Sequence, residues 1–220
     1  GATLETYSPP ALMADTWYKR IVTSTLPGST CSRESNVIKI TVNNFTPGSV
    51  SADQTICENT APVTFTSVTP TGDGTFGYRW LGSPDGMTFT SIPGAINETY
   101  NPGSLAADMW YSREVTSAFA GKACVDTTNM VRVTVINFNQ GSIGTEQTIC
   151  EGGDPAALTS VTPSGDGTVG YQWKSSTDGV NYVNISGAIS ETFDPGVLTQ
   201  DTWYIRSVSF SLNGTTCTKE

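Results

Sequence analysis

Residues 54–58 read QTICE, and the same five residues return at 147–151, 93 positions later. Other stretches repeat at the same distance: SVTPTGDGT at 67–75 returns as SVTPSGDGT at 160–168. A Trp-Tyr pair at 17–18 returns at 110–111 and 203–204. Because the offset never changes, no residue has been inserted or deleted between copies. The sequence is therefore a tandem repeat, and its period is long enough for each copy to be a domain with its own core.

The repeat divides the 220 residues into three segments. We expect residues 1–45 to be the C-terminal half of a first module, 46–138 a complete module, and 139–220 a third module lacking its last strand. The links between modules are four residues long and each begins with phenylalanine, Phe45 or Phe138. Such short links are poor flexible tethers, so we expect both phenylalanines to form inter-module contacts.

The complete module reads as a series of short strands separated by turn residues. APVTFTSVTP (61–70) alternates apolar and polar residues, and DMWYSREVTS (108–117) is rich in aromatic and β-branched residues, both typical of strands. About seven strands and no helix are expected in about 90 residues. This spacing predicts an all-β fold of tandem immunoglobulin-like antiparallel β-sandwich modules with a 93-residue period.

Alternation within strands predicts which side chains face the core. If Trp80 faces inward, Phe76 and Tyr78 do too, since successive side chains point to opposite faces of a sheet. The triplet Tyr111, Arg113, Val115 recurs in all three copies, so we expect it to face the core. An inward arginine needs partners. It could stack on the core tryptophan and reach a carboxylate at the rim, or extend out of the sandwich edge.

Composition excludes several functional classes. The chain has 20 acidic and 11 basic residues, a net charge of −9 and no histidine. Without basic clusters, nucleic acid is not an expected partner, and histidine-based catalysis or metal binding is impossible. No apolar run is long enough to span a membrane.

The repeated aspartates Asp15, Asp108 and Asp201 lie at strand starts, where capping chemistry explains them. We therefore expect no enzymatic activity and no cofactor. Calcium at a module junction remains an alternative, since loops supply oxygen ligands to hard cations.

Five cysteines occupy two positions in the repeat, early (Cys57, Cys150) and late (Cys31, Cys124, Cys217). The simplest pairing joins early to late inside each module, as Cys57–Cys124 and Cys150–Cys217, which leaves Cys31 unpaired in this chain. Such staples imply an oxidising, exported environment. The alternative is that the cysteines are reduced and buried.

Three tryptophans, Trp17, Trp110 and Trp203, share the face of the strong strand that points away from the core. Exposed aromatic rings can contact sugars or protein partners. Alternatively, they pack on the neighbouring strand or module.

The order of these motifs resembles a known class of repeat. QTIC, GDGT with GYxW, ETYxPG, WYxR, the late cysteine and VTV are similar to the immunoglobulin-like and PKD-like repeats of very large Bacteroidetes surface proteins, including gliding-motility adhesins and type IX secretion substrates. The resemblance implies export, surface display and disulfide formation. Asp126-Thr127-Thr128 also resembles the O-glycosylation acceptor motif of this bacterial group, with Thr127 as the modified residue.

These observations predict a structural stalk or adhesion repeat of a large secreted protein, at the cell surface and either attached to the outer membrane or released. Its expected partners are neighbouring modules of the same chain, with surface glycans or other cell-surface proteins as further candidates. The alternative is a carbohydrate- or protein-binding accessory module of a secreted polysaccharide-degrading enzyme.

Overall fold

A computed structural model describes residues 2–220, which contain twenty-two β-strands and no helix. The all-β fold predicted from the sequence is therefore confirmed. Across that range no helix is long and apolar enough to cross a membrane. The first segment has four strands: β1 (Thr16–Tyr18), β2 (Ile21–Leu26), β3 (Ser29–Glu34) and β4 (Ile38–Ile40).

The second segment has ten strands, more than the seven expected, because several of them are only two residues long. They are β5 (Phe45–Thr46), β6 (Ser49–Val50), β7 (Gln54–Cys57), β8 (Ser67–Val68), β9 (Thr71–Gly72), β10 (Thr75–Ser83), β11 (Thr90–Ser91), β12 (Met109–Phe119), β13 (Lys122–Thr127) and β14 (Val131–Ile136).

The third segment repeats this series without the equivalents of β7 and β14. Its eight strands are β15 (Phe138–Asn139), β16 (Ser142–Ile143), β17 (Ser160–Val161), β18 (Ser164–Gly165), β19 (Thr168–Ser176), β20 (Val183–Asn184), β21 (Trp203–Leu212) and β22 (Thr215–Lys219).

One large sheet forms the framework of the complete module. Its strand order is β11-β10-β12-β14-β7, and β13 also pairs with β12. Neighbouring strands are antiparallel except β14 and β7, which run parallel. The opposite layer consists of the short pairs β5–β9 and β6–β8 and the isolated bridges Phe65–Tyr100 and Thr60–Leu105. The two layers enclose the core of an immunoglobulin-like β-sandwich.

Aromatic rings fill that core. Trp80 and Phe65 are fully buried, and their ring centroids are 5.7 Å apart. Tyr100 stacks on Trp80 at 5.5 Å, and the Trp80 indole N–H donates a hydrogen bond to the Asn97 carbonyl at 2.9 Å. The large apolar area and the satisfied indole donor together make Trp80 the central anchor of the module.

The predicted inward faces are confirmed. Tyr111 is 2% exposed, and Arg113 and Val115 are fully buried. Phe76 and Tyr78 are half-buried on the same side of β10 as Trp80.

The long strand β12 pairs with β10 along one edge and with two successive partners along the other. Its start, Met109–Tyr111, pairs with β14, and its later part pairs with β13 in a hairpin. β13 and β14 therefore lie one after the other beside β12. The hairpin tip lies at one end of the sheet, and the Cys57–Ile136 pair of β7 and β14 lies at the other end.

The third module shows what happens where a strand of the repeat is not part of the chain. Glu220 corresponds to Thr127, and the 220 residues contain no equivalent of β14 for this module. An open groove of about 530 Å³ occupies the corresponding space, lined by residues 146–151 and 198–203. Residues 147–150 form no strand there, because the partner with which β7 pairs in the second module is missing.

We expect Trp80→Ala to destabilise the second module by about 3–5 kcal/mol, because a large buried aromatic is replaced by a cavity. Denaturant unfolding measures this loss. The control is Met87→Ala, whose side chain is 86% exposed and which should change stability by less than about 0.5 kcal/mol. If Trp80→Ala costs less than about 1 kcal/mol, the aromatic core described above is wrong.

Candidate functional site: the junction between modules

The residues between the modules are strands of the module that follows them. Phe138 and Asn139 pair with Gly165 and Ser164 of the third module. At the preceding junction, Phe45 and Thr46 pair with residues 71–72 in the same way. The link therefore has hydrogen-bonded backbone from its first residue.

The repeated Gly-Asp-Gly turn is the seat of the link. The backbone N–H of Asp166 donates to the Asn137 carbonyl at 3.2 Å, and its carboxylate accepts from the Asn137 N–H at 3.3 Å. Asp73 holds Asn44 at the first junction with distances of 2.9 and 3.3 Å. A Cβ atom at Gly165 would clash with the backbone and Cβ of Phe138. Glycine is therefore required because the link passes directly over the turn.

The buried arginine fastens the link from inside the module. Arg113 Nη2 donates to the Pro47 carbonyl at 3.0 Å, while Nη1 donates to the Glu98 carbonyl at 2.8 Å and to the Ser67 hydroxyl. Its guanidinium lies 4.8 Å from the centroid of Tyr78. It neither extends out of the edge nor reaches a carboxylate, so those two expectations are wrong. The guanidinium instead spans the link and the two layers of the sandwich. The expected stacking on the core tryptophan is found in the third module, where the Arg206 guanidinium lies 5.8 Å from the Trp173 ring centroid.

The third module repeats this arrangement. Arg206 donates to the Gln140 carbonyl of its link at 3.1 Å, to the Glu191 carbonyl at 2.8 Å and to the Ser160 hydroxyl. Burial lowers the pKa of Arg206, as it does that of Arg113. Guanidinium groups nevertheless stay protonated in proteins, so both links are held by charge-assisted hydrogen bonds.

Phe138 lies at the centre of an apolar cluster that both modules contribute to. It is 9% exposed, and its ring centroid is 4.9 Å from that of Phe210. The Lys219 ammonium lies 4.5 Å from the Phe138 ring, and Ile136 is buried in the same cluster. Phe45 is half-buried, with its ring 6.2 Å from Phe76.

The β21–β22 hairpin of the third module reaches back to the second module. Thr215 donates from its hydroxyl to the Thr55 carbonyl at 3.1 Å, and the Asn213 amide donates to the Thr55 hydroxyl at 3.2 Å. Lys219 forms an ion pair with Glu58 at 3.0 Å and donates to the Phe138 carbonyl at 2.8 Å. The hairpin therefore clamps the early strand of one module against the link to the next.

A disulfide closes this clamp. It joins Cys57 of the second module to Cys217 of the third, with the Cα atoms 5.5 Å apart. The predicted within-module pairs, Cys57–Cys124 and Cys150–Cys217, are therefore wrong. Cys31, Cys124 and Cys150 are free thiols.

The sheet geometry explains why the pairing crosses the junction. Cys57 lies opposite Ile136, whereas Cys124 lies on the hairpin that precedes β14 along the same edge of β12. The 136 − 124 = 12 residues between these positions span roughly 40 Å at about 3.3 Å each. The two cysteines of one module therefore sit at opposite ends of the sheet, much farther apart than the Cα separation of about 7 Å that a disulfide allows. Each can bond only a cysteine of a neighbouring module.

The three tryptophans do not form a common site. Trp110, in the complete module, lies between Arg132, whose guanidinium is 5.1 Å from the ring centroid, and Gly86, where an added Cβ would be 3.2 Å from the ring. Trp17 and Trp203 are 60% and 44% exposed, because the repeat positions that flank Trp110 are only partly represented around them. The geometry of Trp110 is that of a residue packed on its own module.

Two of the three repeated aspartates, Asp15 and Asp108, have structural contacts, while Asp201 is exposed. Asp108 accepts a hydrogen bond from the Val135 N–H at 2.7 Å and pairs with Arg132 at 2.7 Å. Asp15 makes equivalent contacts, and its hydrogen bond from Lys39 lowers its pKa. Among residues 2–220, no three or more Asp, Glu or Cys side chains converge as metal ligands.

The Asp-Gly turn also uses its carboxylate structurally. The Thr88 N–H, the Ser83 hydroxyl and the Met87 N–H all donate to Asp85, and they lower its pKa to about 2. One carboxylate oxygen, Oδ1, accepts all three bonds and so shapes the turn.

Sequence reasoning missed the hairpin, Arg113 and the Gly-Asp-Gly turn as parts of the junction. A signal was present, since QTICE and GDGT are identical in both copies although neighbouring residues differ. These two motifs are the seats for the hairpin and the link.

Thiol counting tests the disulfide. Alkylation of the unreduced chain should label three cysteines, and the tryptic peptides 40–79 and 207–219 should be joined. Within-module pairing would leave one labelled cysteine and join peptide 40–79 to 123–132, which would refute the clamp.

Arg113→Met should destabilise the second module by about 2–4 kcal/mol, because it leaves the buried Pro47 and Glu98 carbonyls without donors. Amide exchange in residues 45–50 should also accelerate. The control is Arg79→Met, which removes an exposed ion pair with Glu114 and should cost less than about 1 kcal/mol. Equal effects of the two substitutions would mean that Arg113 does not hold the link.

Comparison with known proteins adds the family. The chain is similar to the FN1–FN3 domains of chicken CNTN1, at 15% identity over 92% of this chain and 76% of that chain. The TM-score of 0.31 is too low to carry an argument. No curated protein matches. The family model described as "Domain of unknown function (DUF8696)" matches residues 1–44, 46–137 and 139–220. The chain therefore belongs to the DUF8696 family and contains three successive matches to it.

Proposed function

We propose that this chain is part of a stalk, a repeating structural array that holds other parts of its protein at a set distance from a surface. The observation that carries the proposal is the junction, in which the link has no slack. Its backbone is paired with the following module, its carbonyl is held by a buried arginine, and a disulfide joins the modules on either side.

Rigidity follows from the number of independent contacts at one junction. Freely jointed modules would need a solvated link whose backbone is not engaged. Here Asn137, Phe138, Asn139 and Gln140 all bond with the third module or pack against it. The bond between Cys57 and Cys217 then prevents the hairpin from separating from the second module. These contacts fix the angle between successive modules.

The array is proposed to lie outside the cell, attached to the outer membrane or secreted. A disulfide and an immunoglobulin-like fold fit an oxidising environment. The sequence resemblance to Bacteroidetes surface repeats supports the same location and an adhesive role, with surface glycans or proteins as partners. Thr127 is exposed at the end of β13 and is the proposed O-glycosylation site.

No observation favours the alternative of a carbohydrate-binding accessory module. Trp110 is half-buried and packs between Arg132 and Gly86 of its own module. The open groove of the third module occupies the space that β14 fills in the second. The contacts at the junction join the second module, the third module and the link between them.

Small-angle scattering on arrays of two, four and six modules tests the proposal. Maximum dimension should grow linearly, by roughly 40 Å per module, as expected for strands of 7–10 residues with end loops. Cys57→Ser combined with Phe138→Ser should make this chain more flexible without unfolding either neighbour. Cys31→Ser is the matched control, since Cys31 is exposed and free. Growth with the square root of module number would refute a rigid stalk.

A further inference from the structure

The QTICE strip of the second module divides its side chains between two tasks. Gln54 holds its own module by two hydrogen bonds with Val63, at 2.8 and 3.0 Å, and Ile56 is buried in the core. Thr55, Cys57 and Glu58 make all the contacts with the third module's hairpin that this strip provides. The strip is therefore a built docking surface for a hairpin.

The third module carries the same surface without an occupant. Gln147 holds Ala156 by two hydrogen bonds of 2.8 Å, as Gln54 holds Val63. Thr148, Cys150 and Glu151, the equivalents of the docking residues, are all exposed. Gln147 thus keeps the inner contacts of the strip, while Ile149, the equivalent of buried Ile56, is 38% exposed and the outer half faces solvent.

The matching hairpin surface is also unoccupied in the second module. Cys124 stands 93 residues before Cys217, at the same position of the β12–β13 hairpin, and is a free thiol. Other positions of the two hairpins differ, since Ser117 replaces Phe210 and Asp126 replaces Lys219. The cysteine is the contact that all three hairpins share, because Cys31 occupies the same place in β3.

We propose that the inter-module disulfide is periodic: Cys150 bonds the late cysteine of a following module, and Cys124 bonds the early cysteine of a preceding one. The partner is another copy of this module in the same array, so the inference rests on the proposed stalk. Each bond forms by thiol–disulfide exchange with an oxidising disulfide. The two cysteine thiols together lose two protons and two electrons, and the oxidising disulfide takes them up and is reduced to two thiols or to a dithiol. The three free cysteines are then positions whose bonding partners belong to other modules of the array.

A periodic bond has a mechanical consequence. Each bond spans 160 residues while the period is 93, so successive bonds overlap by 160 − 93 = 67 residues. Every second bond begins 2 × 93 − 160 = 26 residues after the previous one ends. The unfolded covalent path per two modules is thus about 26 residues, or roughly 90 Å at full extension. Two folded modules span roughly 80 Å, so such an array gains almost no length when its modules unfold.

The chain as it stands shows one unit of this behaviour under force. When it is pulled from its ends, the 160 − 1 = 159 residues between Cys57 and Cys217 should stay hidden. Reduction, or Cys57→Ser, should release roughly 550 Å of additional contour length. Cys31→Ser should behave as the oxidised parent. Equal contour lengths before and after reduction would remove the mechanical consequence.

The decisive experiment adds one period. A second copy of residues 128–220 is joined after Glu220, which continues the 93-residue register and supplies both the missing last strand and a new hairpin. Two substitutions in the appended copy mark its peptides by mass: Thr218→Ser marks its hairpin peptide, and Val161→Ala, at a position 63% exposed in the parent chain, marks its own copy of peptide 133–174. The chain is oxidised with glutathione disulfide, alkylated and mapped without reduction. We expect the unmarked peptide 133–174, which contains Cys150, to be joined to the marked hairpin peptide, and three cysteines to be alkylated.

Two results would overturn the proposal. One is a Cys150 that remains alkylated while the appended module is folded, as judged by a second cooperative unfolding step. The other is a bond between the two cysteines inside the appended module. Scattering of the same protein separates this inference from the proposed function. A rigid array without the bond fails the peptide map alone, and a flexible array with the bond fails the scattering test alone.

Discussion

A buried guanidinium beside the link is the contact on which the arrangement of the second and third modules depends. Arg113 and Arg206 each bring together the link, the short-strand layer and the segment after the Asn97 or Ser190 turn. A charge inside a sandwich is tolerated when most of its donors are used. Here Nη1 and Nη2 donate to backbone carbonyls and a serine hydroxyl, while the Nε of each arginine has no hydrogen-bond partner. Because one acceptor belongs to the link, folding of a module also fixes the direction in which the previous module leaves it.

The hairpin extends this coupling beyond a single module. β12 is long enough to pair with two successive partners on one edge, so the hairpin lies at one end of the sheet and the early cysteine at the other. The cysteines of one module are therefore too far apart to bond each other, and the disulfide becomes an inter-module connection. In the chain-entropy model a bond closing a loop of this length stabilises the pair by about 5 kcal/mol, so each junction contributes to the stability of two modules.

Much of the fold followed from local rules. Alternation in 76–80 and in 111–115 correctly predicted the buried faces, since side chains of a strand must point to opposite sides of a sheet. The acceptors of Arg113 could not be predicted, because Pro47, Ser67 and Glu98 are separated by 15 to 66 residues from the arginine. The groove beside residues 147–150 could not be predicted either, because it lies where β14 pairs in parallel with β7 in the second module, and that pairing is not visible in the sequence.

The sequence by itself determined the period, the all-β class, the core tryptophan and the positions at which cysteine recurs, because these depend on residue type and spacing along one strand or one repeat. Only the tertiary structure decided which cysteines meet. In an exact repeat, every early cysteine is followed by one late cysteine in its own module and by another in the next module. Both spacings recur with the period, so the sequence does not show which of the two late cysteines forms the bond. β13 and β14 together extend roughly 40 Å along one edge of the sheet. Each late cysteine therefore lies far from the early cysteine of its own module and close to that of the preceding module.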